Sequence, residues 1–150
     1  MLRIGEAEYE ELRRHGEETY PHESCGVLVG RTDGGERLVT RVARCANSCA
    51  DSPRNRYHID PREVLKIERQ GRGRGEDVVG FYHSHPDHPA RWSATDLVEA
   101  HWIGCSYVIT GVARGKAEAT RSFLLVGDDL EGSAKRFEDE EIRVTGRGER

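Results

Sequence analysis

Four short apolar runs, each bounded by glycine or polar residues, set the terms for any fold of this chain: GVLVG at 26–30, VVGFY at 78–82, SYVIT at 106–110 and SFLLVG at 122–127. Runs of four to six apolar residues fall short of a buried helix, and these are rich in β-branched and aromatic side chains, so each predicts a buried strand. Such punctuated clusters exclude a disordered chain even though charged residues make up 33% of the sequence and apolar ones only 35%. The 150 residues suffice for one core and predict one domain, residues 1–145, with a frayed tail at 146–150.

The intervening segments supply the other elements. LRI at 2–4 predicts a short first strand, and residues 7–20 a helix with Tyr9, Leu12 and Arg13 on one face, ended by Pro21. TDGGE at 32–36 reads as the turn of a hairpin whose return strand is RLVTRVARC at 37–45. Residues 46–56 are rich in turn formers and read as loop. A second helix starts with Asp60 as N-cap and Pro61 in its first turn, with Val64, Leu65 and Ile67 as its apolar stripe. A third runs from Ser93 to Gly104, and EEIRV at 140–144 reads as an edge strand of a kind that would suit a dimer contact. About six strands and three helices in mixed order predict an α/β or α+β sheet covered by helices.

Composition narrows the function. A net charge of −4 argues against non-specific nucleic-acid binding. No stretch approaches the ~20 apolar residues of a membrane span, and the first residues show no secretory h-region, which predicts a cytoplasmic protein with reduced thiols. Cys25, Cys45, Cys49 and Cys105 include one C-x3-C spacing and no matching second pair, so they read as ordinary buried or half-buried thiols.

The polar end of the second run is the chemical centre of the sequence. FYHSHPDHPARWSATDL, 81–97, places His83 and His85 two apart, on one face if residues 78–85 form a strand. Two imidazoles on one face can converge on a cation, and two histidines with a carboxylate are a common zinc set. Asp96, Asp87 or His88 could complete it. Ser93 and Asp96 also read more plainly as a helix N-cap and an acid at its third position, close to a capping box. A base to take a proton from water is also needed, and Glu23, just before the first buried strand, is a candidate whose plainer reading is a surface glutamate. His22, His58 and His88 carry no assigned role.

Taken together, Glu23, His83-Ser84-His85, seven residues (86–92) and Ser93-Ala94-Thr95-Asp96 resemble the pattern of the JAMM, or MPN-plus, metalloproteases. NSCADSPRNRYHIDP at 47–61 also resembles a segment of the small prokaryotic members. The resemblance spans roughly residues 1–126. It implies a curved mixed sheet flanked by helices, similar to the cytidine-deaminase fold. It implies one zinc per chain on His83, His85 and Asp96, with Glu23 as general base and Ser93 donating to the oxyanion. It implies hydrolysis of a peptide or isopeptide bond after the C-terminal Gly-Gly of a ubiquitin-like or sulfur-carrier protein, as in the CysO-cysteine peptidase type. The substrate tail would lie extended against a sheet edge, with the loops at 45–56 and 86–92 shaping access.

Three other readings compete. A non-catalytic MPN-type scaffold would lack motif residues, and all are present here. A non-haem iron oxygenase orders its two histidines and carboxylate differently. A zinc deaminase needs a C-x-x-C pair, which this sequence lacks.

Overall fold

The computed structural model describes residues 1–128 and 133–146. Its elements, in chain order, are β1 (Leu2–Gly5), α1 (Glu6–Thr19), β2 (Cys25–Asp33), β3 (Glu36–Cys45), α2 (Pro61–Arg72), β4 (Asp77–Pro86), α3 (Ala94–Glu99), β5 (Ser106–Ala113), β6 (Lys116–Asp128), β7 (Ser133–Glu140) and β8 (Ile142–Thr145). The eight strands form one curled mixed sheet in the order β7-β6-β5-β4-β2-β3-β1-β8. Strands β4 and β5 run parallel, as does β1 beside both β3 and β8; the remaining pairs are antiparallel.

The four apolar runs lie in β2, β4, β5 and β6, the central strands, where both faces are covered. Alternation along β2 sends Val27 and Val29 to the α2 side and Leu28 to the α1 side. On the α2 side they meet Val64, Ile67, Phe81 and Tyr107. On the α1 side Leu28 joins Leu2, Leu12, Val39 and Tyr82. The α1 contact is close because Gly26 lies against the Tyr82 ring: a Cβ there would stand 2.2 Å from a ring carbon. Tyr82 in turn meets His15 of α1, hydroxyl to Nδ1 at 2.7 Å.

The hairpin turn is tighter than the sequence suggested. Strands β2 and β3 extend to Asp33 and from Glu36, leaving Gly34 and Gly35 at φ +56° and +83°. Two consecutive positive φ values are what a type I′ turn demands, and glycine adopts them without a Cβ clash.

The curl is closed by a buried ion pair. Arg37 of β3 pairs with Glu140 at the end of β7, and Glu140 also accepts from Ser106 and Ser122 hydroxyls at 2.7 Å each. Arg37 Nε donates to Ser106 Oγ at 2.7 Å, so every charged group of this pair has partners.

Three expectations need correction. The described residues form eight strands where about six were expected: β7 has the sequence SAKRFEDE, which carries no apolar run and joins the sheet through backbone pairing with β6. The third helix stops at Glu99, six residues long, and Trp102–Gly104 lie beyond it. Leu65 is 44% exposed, so Val64 and Ile67 alone carry the buried stripe of α2. The expected edge strand is there as β8, at the sheet margin; of the tail, residues 147–150 lie outside the described residues. Cys25, Cys45 and Cys105 are buried free thiols and Cys49 is a half-buried one. Burial pushes Cys45 up to about 12 and Cys105 up to about 11, which keeps both as unreactive thiols at neutral pH. Among the described residues no helix is long and apolar enough to cross a membrane.

Candidate metal centre

The C-terminal end of β4 presents Phe81, His83 and His85 to the α2 side, alternating with Tyr82 and Ser84 on the α1 side. Both imidazoles are buried. Their Nε2 atoms stand 3.1 Å apart. From α3, Asp96 places Oδ1 3.2 Å from His83 Nε2 and Oδ2 3.2 Å from His85 Nε2. The three groups offer ligand atoms all within 4.8 Å of one another.

The start of α3 explains how Asp96 is aimed. Ser93 is the N-cap, its hydroxyl accepting the Asp96 N–H at 3.1 Å, while Asp96 Oδ2 accepts the Ser93 N–H at 2.9 Å. This is a complete capping box, so the plain reading and the site geometry hold together in the same two side chains.

Proton placement tests whether these residues suit a cation. His85 Nδ1 lies 3.0 Å from the Pro89 carbonyl oxygen, which can only accept, so Nδ1 carries a proton and Nε2 is the nitrogen turned toward His83 and Asp96. Burial drives His83 neutral, against the pull of Asp96. Burial raises Asp96 as well, but its contacts with His83, His85 and the Ser93 N–H outweigh it and hold the carboxyl well below the usual range. A neutral imidazole at His83 beside an ionised carboxylate at Asp96 is the protonation state that binds metal. Ligand atoms 2.0–2.1 Å from a tetrahedral centre stand ~3.3 Å apart, close to the 3.1 and 3.2 Å gaps found here. The donor set therefore fits zinc.

Glu23 lies two residues before the start of β2, with Ser24 between. Cys25 pairs with His83, and Ser24 and Ser84 bond reciprocally: Ser84 N to Ser24 O at 3.2 Å and Ser24 N to Ser84 Oγ at 2.8 Å. Continuing that register sets Glu23 opposite His85. The Glu23 backbone is tied by its N–H to Pro53 O at 2.7 Å and by its carbonyl to Asn47 Nδ2 at 3.3 Å. The side chain is buried, with Oε1 lacking a partner among the described residues, so it is not the surface glutamate of the plainer reading. Burial, then the charge of Asp96, pushes its carboxyl up to about 9; a cation held by the triad would pull it back down.

Of the three candidate third donors, Asp96 alone joins the histidines. The Asp87 carboxylate accepts the Tyr20 hydroxyl at 2.6 Å and the Arg114 N–H at 2.9 Å instead, and His88 is exposed. Sequence reasoning missed Asn47 and Tyr57, although both lie in the quoted 47–61 segment. Tyr57 stacks on His83, centroids 4.4 Å apart and planes 24° apart. Asn47 donates to the carbonyls of Glu23 and Arg56 and accepts the N–H groups of Cys49 and His58. Beside the site, between α2 and the segment after α3, lies a cavity of about 560 Å³ walled by Tyr57, Val64, Phe81, Trp102 and Tyr107, with Glu68 and Glu99. Neither loop expected to shape access lines it.

Residues 5–126 match the family model described as prokaryotic homologs of the JAB domain. A desampylase of Haloferax volcanii is 44% identical over 89 residues, 59% of this chain and 62% of that relative, so the match spans less than two thirds of the latter. A probable TtuB-protein conjugate cleaving protease of Thermus thermophilus is 36% identical over 116 residues, 77% of this chain and 70% of its own length. Among solved structures, a Desulfitobacterium hafniense protein superposes with a TM-score of 0.81 at 33% identity, covering 98% of this chain and 94% of its own. A Salinibacter ruber protein does so at 0.70 and 36% identity, covering 95% and 91%.

Proposed function

The chain belongs to the family of prokaryotic homologs of the JAB domain, and from that premise we propose that it is a zinc-dependent peptidase acting in the cytoplasm on the bond after the C-terminal Gly-Gly of a ubiquitin-like or sulfur-carrier protein. The observation that carries the reading is the convergence of His83 Nε2, His85 Nε2 and the Asp96 carboxylate beside a buried glutamate whose Oε1 has no partner among the described residues. The names of two relatives, a desampylase and a probable TtuB-protein conjugate cleaving protease, support the substrate class.

His83, His85 and Asp96 would hold the metal. When bound, it supplies Lewis-acid polarisation of the scissile carbonyl and makes water more acidic. Glu23 takes the proton of the attacking water at its carboxylate and returns it to the leaving amine. The Ser93 hydroxyl accepts from Asp96 N–H, which leaves its own hydrogen to donate to the oxyanion as water adds to the carbonyl. The half-buried ring of Tyr57, laid on the buried His83, keeps bulk water from one side of the centre.

The test is intact-mass spectrometry of a sulfur-carrier protein extended past Gly-Gly by one cysteine, incubated with wild type, with Glu23→Gln and with chelated wild type. Loss of the cysteine mass with untreated wild type alone supports the proposal. No loss from a zinc-loaded preparation, on this carrier and on lysine-linked conjugates, would overturn it in favour of a scaffold.

A further inference from the structure

The two histidines of the triad are held in different ways. His85 is fixed by a hydrogen bond from Nδ1 to the Pro89 carbonyl at 3.0 Å. His83 has no such bond: its Nδ1 is buried and has no partner among the described residues. A metal-binding histidine ordinarily has its second nitrogen anchored, which sets both the ring's direction and its tautomer. What His83 has instead is the Tyr57 ring laid against it, 4.4 Å between centroids and 24° between planes.

Tyr57 is itself clamped. The Asn47 side chain bonds the peptide groups on either side of it, donating to Arg56 O at 3.0 Å and accepting from His58 N at 3.1 Å. Arg56 also pairs with Glu99 of α3, the helix that carries Asp96. No hydrogen bond from the Tyr57 hydroxyl to another described residue accompanies the stack, so the flat face of the ring is what meets His83.

We propose that Tyr57 is a positioning residue for the metal centre, its ring face fixing the direction of His83 Nε2 in place of the hydrogen bond that His83 lacks. The inference rests on the metal-site reading above. Its consequence is that metal affinity depends on a flat ring at position 57 and not on the hydroxyl or on bulk alone.

The experiment compares wild type, Tyr57→Phe, Tyr57→Leu and Tyr57→Ala for zinc affinity by competition with a chelating dye, and for the visible spectrum of the cobalt-substituted protein. Melting temperatures of the chelated proteins report folding separately. Tyr57→Phe is expected to match wild type within about twofold. Tyr57→Leu, which keeps apolar bulk without a flat face, is expected to bind zinc ~10–100-fold more weakly, the range for losing an outer partner of a ligand, with a broadened cobalt spectrum. Tyr57→Leu with wild-type affinity and spectrum, in a chain that binds zinc, overturns the inference and leaves the metal site standing. Loss of affinity in Tyr57→Phe equal to that in Tyr57→Ala overturns it by placing the role on the hydroxyl. A wild-type chain that binds no divalent cation overturns the metal-site reading and this inference with it.

Discussion

Ser93 and Asp96 exchange two hydrogen bonds, backbone N–H to side chain in each direction, at 2.9 and 3.1 Å. The same Asp96 oxygen that receives the Ser93 N–H lies 3.2 Å from His85 Nε2. The device that starts α3 is therefore also the device that aims a carboxylate at two imidazoles. In a helix of six residues, little else could hold it.

Ser93 has two separable duties under this reading. Ser93→Ala removes the cap, at a cost of about 1 kcal/mol in stability, and the oxyanion donor, at a cost of ~10²–10³ in kcat. Ser93→Thr keeps a hydroxyl for both and is expected to retain most activity. Ser93→Gly, nearly neutral as a cap, is expected to lose the rate while melting close to wild type. Turnover and melting temperature of the three variants check this; an active Ser93→Gly would remove the hydroxyl from the chemistry.

Glu23→Gln preserves shape and removes the proposed proton acceptor. Zinc content is expected to stay near one per chain, while peptide cleavage falls by the ~10²–10⁴ that a positioned base contributes. Metal analysis beside intact-mass turnover decides it, and near-normal turnover would sink the base assignment.

The same residue makes the chelated protein sensitive to pH. Burial and the Asp96 charge push Glu23 up to about 9 in the folded chain from 4.5. The folded state thus keeps a proton that the unfolded state releases, so stability from this group is greatest below pH 4.5 and declines as pH rises toward 9. Glutamine imitates the protonated acid and removes that decline. Chelated Glu23→Gln is expected to melt above chelated wild type at pH 8–9, with the gap closing toward pH 4. A gap that does not change with pH would mean that Glu23 is not the buried acid described here.

The sequence disclosed more of the site than of the sheet. His-x-His at the end of an apolar strand gave the shared face of His83 and His85, because alternation is a local property of the backbone. Capping chemistry gave the start of α3 for the same reason. Strand β7 stayed hidden because an edge strand is held by backbone bonds, which leave no mark on a polar sequence such as SAKRFEDE. Tyr57 and Asn47 stayed hidden as contributors because their partners, His83 and Glu23, come from segments distant in the chain. The choice among Asp96, Asp87 and His88 was made by the Tyr20 and Arg114 bonds that hold Asp87 elsewhere, which no local pattern encodes.

Removing a ligand should separate metal from fold. Asp96→Asn keeps a side-chain oxygen for the Ser93 N–H but gives up the charge between the imidazoles. Zinc affinity is expected to fall by at least the ~10–100-fold known for outer partners, and His83→Ala is expected to lose the metal outright. Competition titration with a chelating dye reads both. Either variant binding zinc as wild type does would remove that residue from the ligand set.

Asn47 ties Glu23 to the stack. Its side chain makes four bonds: to the carbonyls of Glu23 and Arg56, and from the N–H groups of Cys49 and His58. Glu23 is one of those partners, and Arg56 and His58 flank Tyr57, so one amide holds Glu23 and the ring against His83 in a fixed relation. Asn47→Ala leaves all four groups unpaired, and a net loss of about 2 kcal/mol follows if some regain water. Asn47→Asp is more discriminating. It keeps both accepting bonds but sets a carboxylate against the carbonyls of Glu23 and Arg56, where the amide donated. The loop segment at Cys49 and His58 should then persist while Glu23 is released. Melting temperature is expected to fall less in Asn47→Asp than in Asn47→Ala, with turnover reduced in both. Asn47→Ala retaining wild-type turnover at a lowered melting temperature would confine Asn47 to folding the loop, and the position of Glu23 would have to be set by its Pro53 bond and its burial instead.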